Sequence, residues 1–159
     1  MPSKKTIAWG CGIAALACIV GIAAVVLFFV YVSQDVKEAG VSVDAPADVV
    51  VGQVFELNVT VTNERPRKVL ALSDIDIAEN YLAGFTVSSI EPRPKSSMHV
   101  PIDNSRSFTF AIQVPARASR VFTFKLRAEK PGLYRGDVDL CEGGRFITGM
   151  AQTNVKEKQ

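Results

Sequence analysis

The side chains that could support acid–base, nucleophilic or metal chemistry are few in this chain of 159 residues. Its one histidine, His99, falls in a stretch that we predict to be a polar loop, and no Gly-x-Ser-x-Gly motif supplies a nucleophile for it. Tetrahedral zinc and blue-copper sites need several histidine or cysteine ligands, whereas the second half of the chain offers only His99 and Cys141. The sequence therefore predicts a protein that is not an enzyme and that holds no cofactor.

Soft ligand atoms leave one metal-binding alternative open. Met98 is adjacent to His99, and Cys141 and Met150 follow later in the same region. Thioether, imidazole and thiolate groups together suit copper(I). The alternative function is therefore copper handling, or assembly of an envelope or respiratory enzyme. As an isolated cysteine, however, Cys141 is expected to be a small buried hydrophobic side chain.

Asp74 and Asp76 are two residues apart, so they project from the same face of a predicted strand, with Glu79 close behind. Paired carboxylates can bind calcium or act as a general acid and base. On an open strand face, charged side chains more often stay hydrated and prevent edge-to-edge aggregation. We therefore expect this second role, whereas the enzymatic alternative predicts a concave pocket at the strand.

Arg65, Arg67 and Lys68 are close together in a predicted hairpin loop. Such a loop could contact anionic lipid headgroups or an acidic patch on a partner protein. An ordinary solvated turn is the simpler interpretation.

An uncharged apolar segment extends from Ile7 to Val32. About 20 helical residues cross the hydrocarbon core of a bilayer, so this segment is long enough to span it with some tilt. Trp9 and Tyr31 fall near its two ends, where such rings prefer the membrane interfaces. Lys4 and Lys5 precede the segment and every acidic residue follows it, so the positive-inside rule keeps the N-terminus in the cytoplasm. We expect a single-pass anchor in the cytoplasmic membrane that holds the rest of the chain on the outer face.

The triplet Ala15-Leu16-Ala17 before Cys18 leaves signal-peptidase cleavage, or lipidation of Cys18, as alternatives. Cleavage there would leave the apolar residues 19–32 as a new N-terminus, which favours an uncleaved anchor. The expected organisation is a cytoplasmic tail (1–6), a transmembrane helix (7–32), a linker (33–40), a β-domain (41–155) and a C-terminal tail (156–159).

Small residues recur along the predicted helix at alternating spacings of four and three positions. This spacing places them on one helical face, which consists of Gly10, Ala14, Ala17, Gly21 and Ala24. Small side chains let two helices approach closely in lipid. The face predicts packing against another membrane helix, with self-association of the chain into a homo-oligomer as one form of it.

Beyond residue 40 the hydrophobic pattern changes from a continuous run to an alternation with a period of two. Such alternation is typical of strands that have one buried and one hydrated face. The most regular segments are residues 55–62, 108–114, 122–127 and 134–140. Less regular candidates are residues 41–45, 69–77, 85–90 and 146–151, and one helical turn is expected at 78–82. Seven or eight short antiparallel strands predict an all-β, immunoglobulin-like sandwich.

Pro131 and Gly132 form a predicted turn, and Tyr134 opens the next strand pointing inward. A buried tyrosine at this place can hydrogen-bond back to the connecting backbone, as in the tyrosine corner of immunoglobulin-like sandwiches. An ordinary core aromatic after a turn is the alternative.

Residues 51–63, with the sequence VGQVFELNVTVTN, combine a Gly-Gln turn, an alternating strand and a final Thr-Asn. In this they resemble the opening of bacterial extracytoplasmic immunoglobulin-like modules, including the CARDB type, and the Pro-Gly-x-Tyr turn is similar to their last hairpin. The resemblance covers about residues 41–155 and departs from the usual pattern between Leu70 and Glu91. It implies a non-catalytic spacer, adhesion unit or binding accessory.

Lys4 and Lys5 aside, 16 of the 18 basic residues and all 16 acidic residues follow the apolar segment, so this region is neutral. A neutral region with interspersed charges gives no indication of a nucleic-acid partner. The sequence therefore predicts a membrane-anchored, non-enzymatic immunoglobulin-like module. It would act as a protein-binding or structural accessory to another membrane or envelope protein.

Overall fold

The structure, a computed structural model, describes residues 17–30 and 36–158. These residues belong to two separate compact units. In the first unit, residues 17–30 form helix α1. The remainder of the predicted transmembrane helix, residues 7–16 and 31–32, lies outside the described residues, as does the predicted tail 1–6. None of the helices in the described ranges is both long enough and apolar enough to cross a membrane.

The second unit is built from ten strands and one short helix. In chain order these are β1 (Ala39–Asp44), β2 (Asp48–Val50), β3 (Val54–Asn63), β4 (Leu70–Ala78), α2 (Glu79–Leu82), β5 (Phe85–Glu91), β6 (Ser96–Val100), β7 (Ser105–Val114), β8 (Ser119–Ala128), β9 (Gly132–Glu142) and β10 (Arg145–Lys156).

The strands form two sheets. One has four strands in the order β1-β3-β8-β5, and the other has six in the order β2-β10-β9-β4-β7-β6. Neighbouring strands are antiparallel, except that the short β2 runs parallel to β10. The prediction of an all-β fold with mainly antiparallel strands is confirmed for the described residues, although the expected seven or eight strands are too few.

The core lies between the two sheets and follows from the period-two alternation of the strands. Leu57 and Val59 on β3 and Phe122 on β8 are fully buried, while their chain neighbours face outward. Phe110, on β7 of the other sheet, packs edge-on against Phe122 with ring centroids 4.7 Å apart. Burying a side chain of this size stabilises the fold by roughly 1.5–3 kcal/mol relative to leaving it exposed.

Two strands and the start of the domain differ from the sequence-based expectations. No strand is predicted at residues 48–50, where the structure has β2, and the predicted polar loop around His99 is strand β6. The expected helical turn is present as α2. Within the predicted linker, Val36 is buried at 3% exposure and its backbone N–H donates to the carbonyl of Phe146. The chain is therefore already packed on the second unit at Val36.

Candidate functional site

An open groove lies between β5 and β6 in the described part of the chain. These two strands are the last strands of their respective sheets, and residues 92–95 connect them. The groove has a volume of about 630 Å³. Its lining consists of two apolar side chains, two cations, one glutamate, one proline and four serines: Val87, Ile90, Arg93, Lys95, Glu91, Pro94, Ser88, Ser89, Ser96 and Ser97. We call this feature the edge groove.

Ser96 and Ser97, the first two residues of the edge strand β6, line one wall of the edge groove. This strand pairs with β7 in unbroken register from Ser96 opposite Thr109 to Val100 opposite Ser105. No strand of the described chain pairs with its other side. Natural sheets usually protect such edges with charged residues, prolines or bulges. The sequence of β6, Ser-Ser-Met-His-Val, contains none of these, and Met98 is 65% exposed.

The other three sheet edges in the described chain are less open to a partner strand. Strand β5 carries a register shift between Val87 and Ser89, which bends its edge. Strand β2 has only three residues. Strand β1 ends in the charged Asp44, and its inner face packs closely on β10, where a Cβ on Gly149 would lie 2.8 Å from a methyl carbon of Val43. The edge of β6 is therefore the one best able to accept another strand.

The paired carboxylates fall on the outer face of the six-stranded sheet, where Asp76 on β4 stands opposite Asp139 on β9. Burial raises the pKa of both carboxyl groups above the usual aspartate range, and the nearby charge of Asp103 adds to the effect. One oxygen of Asp76, Oδ1, is buried without a hydrogen-bond partner. Neither Asp76 nor Asp74 lines the edge groove, where a substrate would have room to bind.

Cys141 belongs to the same face. Its Sγ donates to Oδ2 of Asp76 at 3.5 Å, and the thiol is half-buried. Burial, followed by the negative charge of Asp76, raises the pKa of the Cys141 thiol far above its usual range. The thiolate is the nucleophile and the metal ligand, so a thiol held neutral in this way is suited to neither role.

The four soft ligands of the copper alternative are not brought together. Met98 on β6 and Cys141 on β9 are separated by β7 and β4, which at the usual strand spacing corresponds to about 14 Å. The sulfur of Met150 instead accepts a bond from Arg135, and His99 lies 3.4 Å from Glu79. The described part of the chain contains no group of three or more His, Cys, Asp or Glu side chains arranged to hold a metal ion. The copper alternative is therefore not supported.

The three basic residues of the predicted loop differ in their surroundings, because Arg65 forms an ion pair within the domain. Its two terminal nitrogens donate to the two carboxylate oxygens of Glu142 at 2.7 and 2.6 Å. Its Nε donates to the carbonyl of Lys37. Arg67 and Lys68, in contrast, are exposed and form no ion pair with any described residue.

Tyr134 packs its ring on the backbone at Gly84, where an added Cβ would come within 2.3 Å of a ring carbon. Its hydroxyl donates to the carbonyl of Pro131 across a long 3.5 Å, and the residue is half-buried. Gly132 between them has a φ of 147°, which favours glycine. Of the two tyrosines in the described ranges, Tyr81 is the fully buried one, and its hydroxyl lies 3.1 Å from the hydroxyl of Thr153.

Of the predicted helix-packing face, Ala17, Gly21 and Ala24 lie in α1 and are exposed. An added Cβ on Gly21 would meet nothing within 4 Å. Gly10 and Ala14 lie outside the described residues.

No protein-family model matches this sequence, and no curated protein matches it. Among solved structures, the chain is similar to the cohesin module of a family 33 glycoside hydrolase from Clostridium perfringens, with 15% identity and a TM-score of 0.52. The match covers 79% of this chain and 100% of that module. At this identity the likeness shows a shared sandwich fold, and a fold alone does not determine a function.

Two weaker matches have TM-scores of 0.49. One is the CARDB domain of a Pyrococcus furiosus protein in complex with di-metal ions, at 13% identity over 78% of this chain and 94% of that one. The other is AvmM, which catalyses macrocyclization in alchivemycin A biosynthesis, at 11% identity over 79% of this chain and 96% of that one. The resemblance to CARDB-type modules that the sequence indicates is confirmed as a distant likeness.

Proposed function

We propose that this chain is a non-enzymatic, immunoglobulin-like module that binds another protein through the edge groove. The partner contributes an extended segment that adds as a new strand to β6. The unprotected, regular edge of β6 is the observation that carries this proposal. Along such an edge, backbone N–H and C=O groups are unpaired with protein and available to a partner backbone, while side-chain pockets supply specificity.

The charges of the edge groove favour a partner segment that is acidic. Arg93 and Lys95 outnumber the one acidic lining residue, Glu91, and all three are exposed without an ion pair to any described residue. Ile90 and Val87 add a small apolar surface on the opposite wall. An extended segment with an acidic residue near an apolar one would therefore complement the groove in both charge and shape.

The same proposal places the module on the outer face of the cytoplasmic membrane, with residues 7–32 as its anchor in the lipid bilayer. The uncharged composition of that segment and the preceding Lys4 and Lys5 support this orientation. The partner is then a membrane or envelope protein. The small-residue face from Gly10 to Ala24 is the surface through which the anchor would pack on another helix or on a second copy.

Membrane attachment is tested by extracting membranes of the native host with alkaline carbonate. The full chain is expected to stay in the membrane pellet, and protease added to intact spheroplasts is expected to digest the β-domain. Release of the chain into the supernatant would contradict the anchor without bearing on the edge groove.

Partner binding is tested by co-purification of the full chain with a charge-reversed groove, Arg93→Glu with Lys95→Glu. We expect recovery of the specific partner to fall about tenfold, which corresponds to about 1.4 kcal/mol of binding free energy. The matched control reverses two exposed lysines away from the groove, Lys130→Glu with Lys158→Glu, and should leave recovery unchanged. Equal losses in both variants would contradict binding at the groove.

A further inference from the structure

The charges of the second unit are segregated, although its total is nearly neutral. Four segments lie at the end where the chain enters this unit: residues 36–38, 64–69, 115–118 and 142–145. We call them together the basic end. They contain six basic and three acidic side chains, a formal charge of +3. The rest of residues 36–158 contains ten basic and twelve acidic side chains, a formal charge of −2.

Hydrogen bonds hold the four segments of the basic end together. The buried side-chain amide of Asn63 donates to the carbonyls of Lys68 and Pro115, which joins the second segment to the third. The Arg65 guanidinium joins the second segment to Lys37 in the first and to Glu142 in the fourth. The basic end is therefore one fixed surface and not a set of independent loops.

Four cations on this surface remain exposed. Arg67, Lys68, Arg117 and Lys37 form no ion pair with a described residue, whereas Arg65 is used internally by Glu142. Arg117 is held at the turn in a left-handed conformation with φ of 58°. Glu38 and Glu64 are the exposed acidic residues of this surface, so its exposed charged side chains, four cations and two anions, carry a net charge of +2.

We propose that the basic end binds the anionic phospholipid headgroups of the membrane in which the chain is anchored. This inference rests on the proposed anchor, after which only residues 33–35 precede Val36. Three residues reach at most about 11 Å, which is close to the Debye length of about 8–10 Å at physiological salt. Cations held at that distance are within the attractive field of an anionic bilayer surface.

Binding of the basic end to lipid headgroups would orient the module on the membrane. With the basic end on the headgroups, the free edge of β6 would be held in a fixed direction, beginning where Ser96 pairs with Thr109, five residues before β7 ends at Val114. A partner segment that emerges from the same membrane would then meet the edge groove at a raised effective concentration. An acidic protein surface is the competing occupant of the basic end, and the experiment below separates the two.

The test uses the full chain in nanodiscs and measures hydrogen–deuterium exchange by mass spectrometry. We expect segments 64–69 and 115–118 to exchange at least about threefold more slowly in discs that contain phosphatidylglycerol than in discs of phosphatidylcholine alone. The difference should disappear in high salt, because screening shortens the reach of surface charges. It should also disappear in Arg67→Glu with Lys68→Glu, and persist in the control Lys130→Glu with Lys158→Glu.

The outcomes distinguish the inference from the proposed function. A chain that does not enter nanodiscs would overturn the anchor and this inference with it. A chain that enters but exchanges identically in both lipids would overturn lipid binding and leave the anchor standing. Slowing that requires added host protein, and not anionic lipid, would identify an acidic protein as the occupant and would also overturn the inference.

Discussion

Arg65 and Glu142 are 77 positions apart in the chain and form a bidentate ion pair with N–O distances of 2.7 and 2.6 Å. Their side chains are only 11% and 12% exposed. The backbone N–H of Ala71 donates to the same carboxylate, and so does Arg145, which stands opposite Glu142 in the β9–β10 hairpin. This pair thus ties the loop after β3 to the β9–β10 hairpin.

Removing one partner of this pair is expected to leave the other charge poorly solvated. We predict that Arg65→Ala lowers the free energy of unfolding by about 2–4 kcal/mol. Chemical denaturation at neutral pH measures the change. The matched control is Arg67→Ala in the same loop, which should change stability by less than about 0.5 kcal/mol because its side chain is exposed and unpaired. Equal effects of both variants would contradict the structural role of the pair.

The same pair makes a pH prediction. The hydrogen bonds from Arg65 lower the pKa of Glu142 below the usual glutamate range. A carboxyl whose folded-state pKa is depressed stabilises the fold above its unfolded-state pKa, and this stability is lost as pH falls through the folded-state value. The stability gap between the native chain and Glu142→Gln should therefore be full at pH 7 and close as pH falls below the usual glutamate pKa and through the lowered folded-state value.

Asp76 should show the opposite sign, because burial raises its pKa. Because the folded state binds the Asp76 proton more tightly, protonation of Asp76 stabilises the fold at pH values below the usual aspartate pKa. This stabilisation is lost as pH rises through the raised folded-state pKa of Asp76. At pH 7 the buried charge of Asp76 therefore destabilises the fold, so Asp76→Asn should raise Tm by a few degrees. The gain should vanish at low pH. Asp137→Asn, at an exposed position on β9, is the control and should leave Tm unchanged.

Gly84 makes room for an aromatic ring. Because a Cβ there would lie 2.3 Å from a ring carbon of Tyr134, Gly84→Ala should displace the ring and lower stability by about 1–3 kcal/mol. Gly40→Ala is the control, since the nearest atoms lie 3.8 Å from its added Cβ. Denaturation midpoints that agree for the two variants would show that the ring moves without penalty.

The two tyrosines test whether Tyr134 acts as a tyrosine corner. Tyr81→Phe would leave the fully buried Thr153 hydroxyl without its partner, which should lower stability by about 1–2 kcal/mol. Tyr134→Phe removes only a long bond from a half-buried hydroxyl, so we expect a loss below about 0.5 kcal/mol. A larger loss for Tyr134→Phe than for Tyr81→Phe, measured by thermal unfolding, would support the corner and contradict this ranking.

The regular strands were predictable because one face of each is buried. The alternation of Leu57 and Val59 with polar neighbours reports this burial directly. Strand β6 has no such alternation, since four of its five residues are exposed, so its sequence resembles a loop. Strand β2 is too short for a pattern and is held by parallel pairing with β10. The edge groove was not predicted either, because β6, which contributes to its lining, has no recognisable strand pattern.

Contacts between side chains that are distant in the chain could not be predicted from the sequence either. Nothing local to Arg65 indicates that Glu142 will neutralise it, because the two meet only when β3, β4 and β9 are packed. Likewise, the spacing of Asp74 and Asp76 places them on one face but does not reveal that Asp139 stands opposite. These contacts depend on sheet order, which a period-two pattern does not encode.

The central claim, that a partner adds to the free edge of β6, is tested most directly by site-specific photocrosslinking in living host cells. A photoreactive side chain replaces Ser97 in the edge groove or, as the control, the exposed Ser42 on β1 of the other sheet. We predict one discrete adduct with a different protein from position 97 and none from position 42. An adduct from position 42 alone, or an adduct from position 97 that contains only two copies of this chain, would contradict the claim.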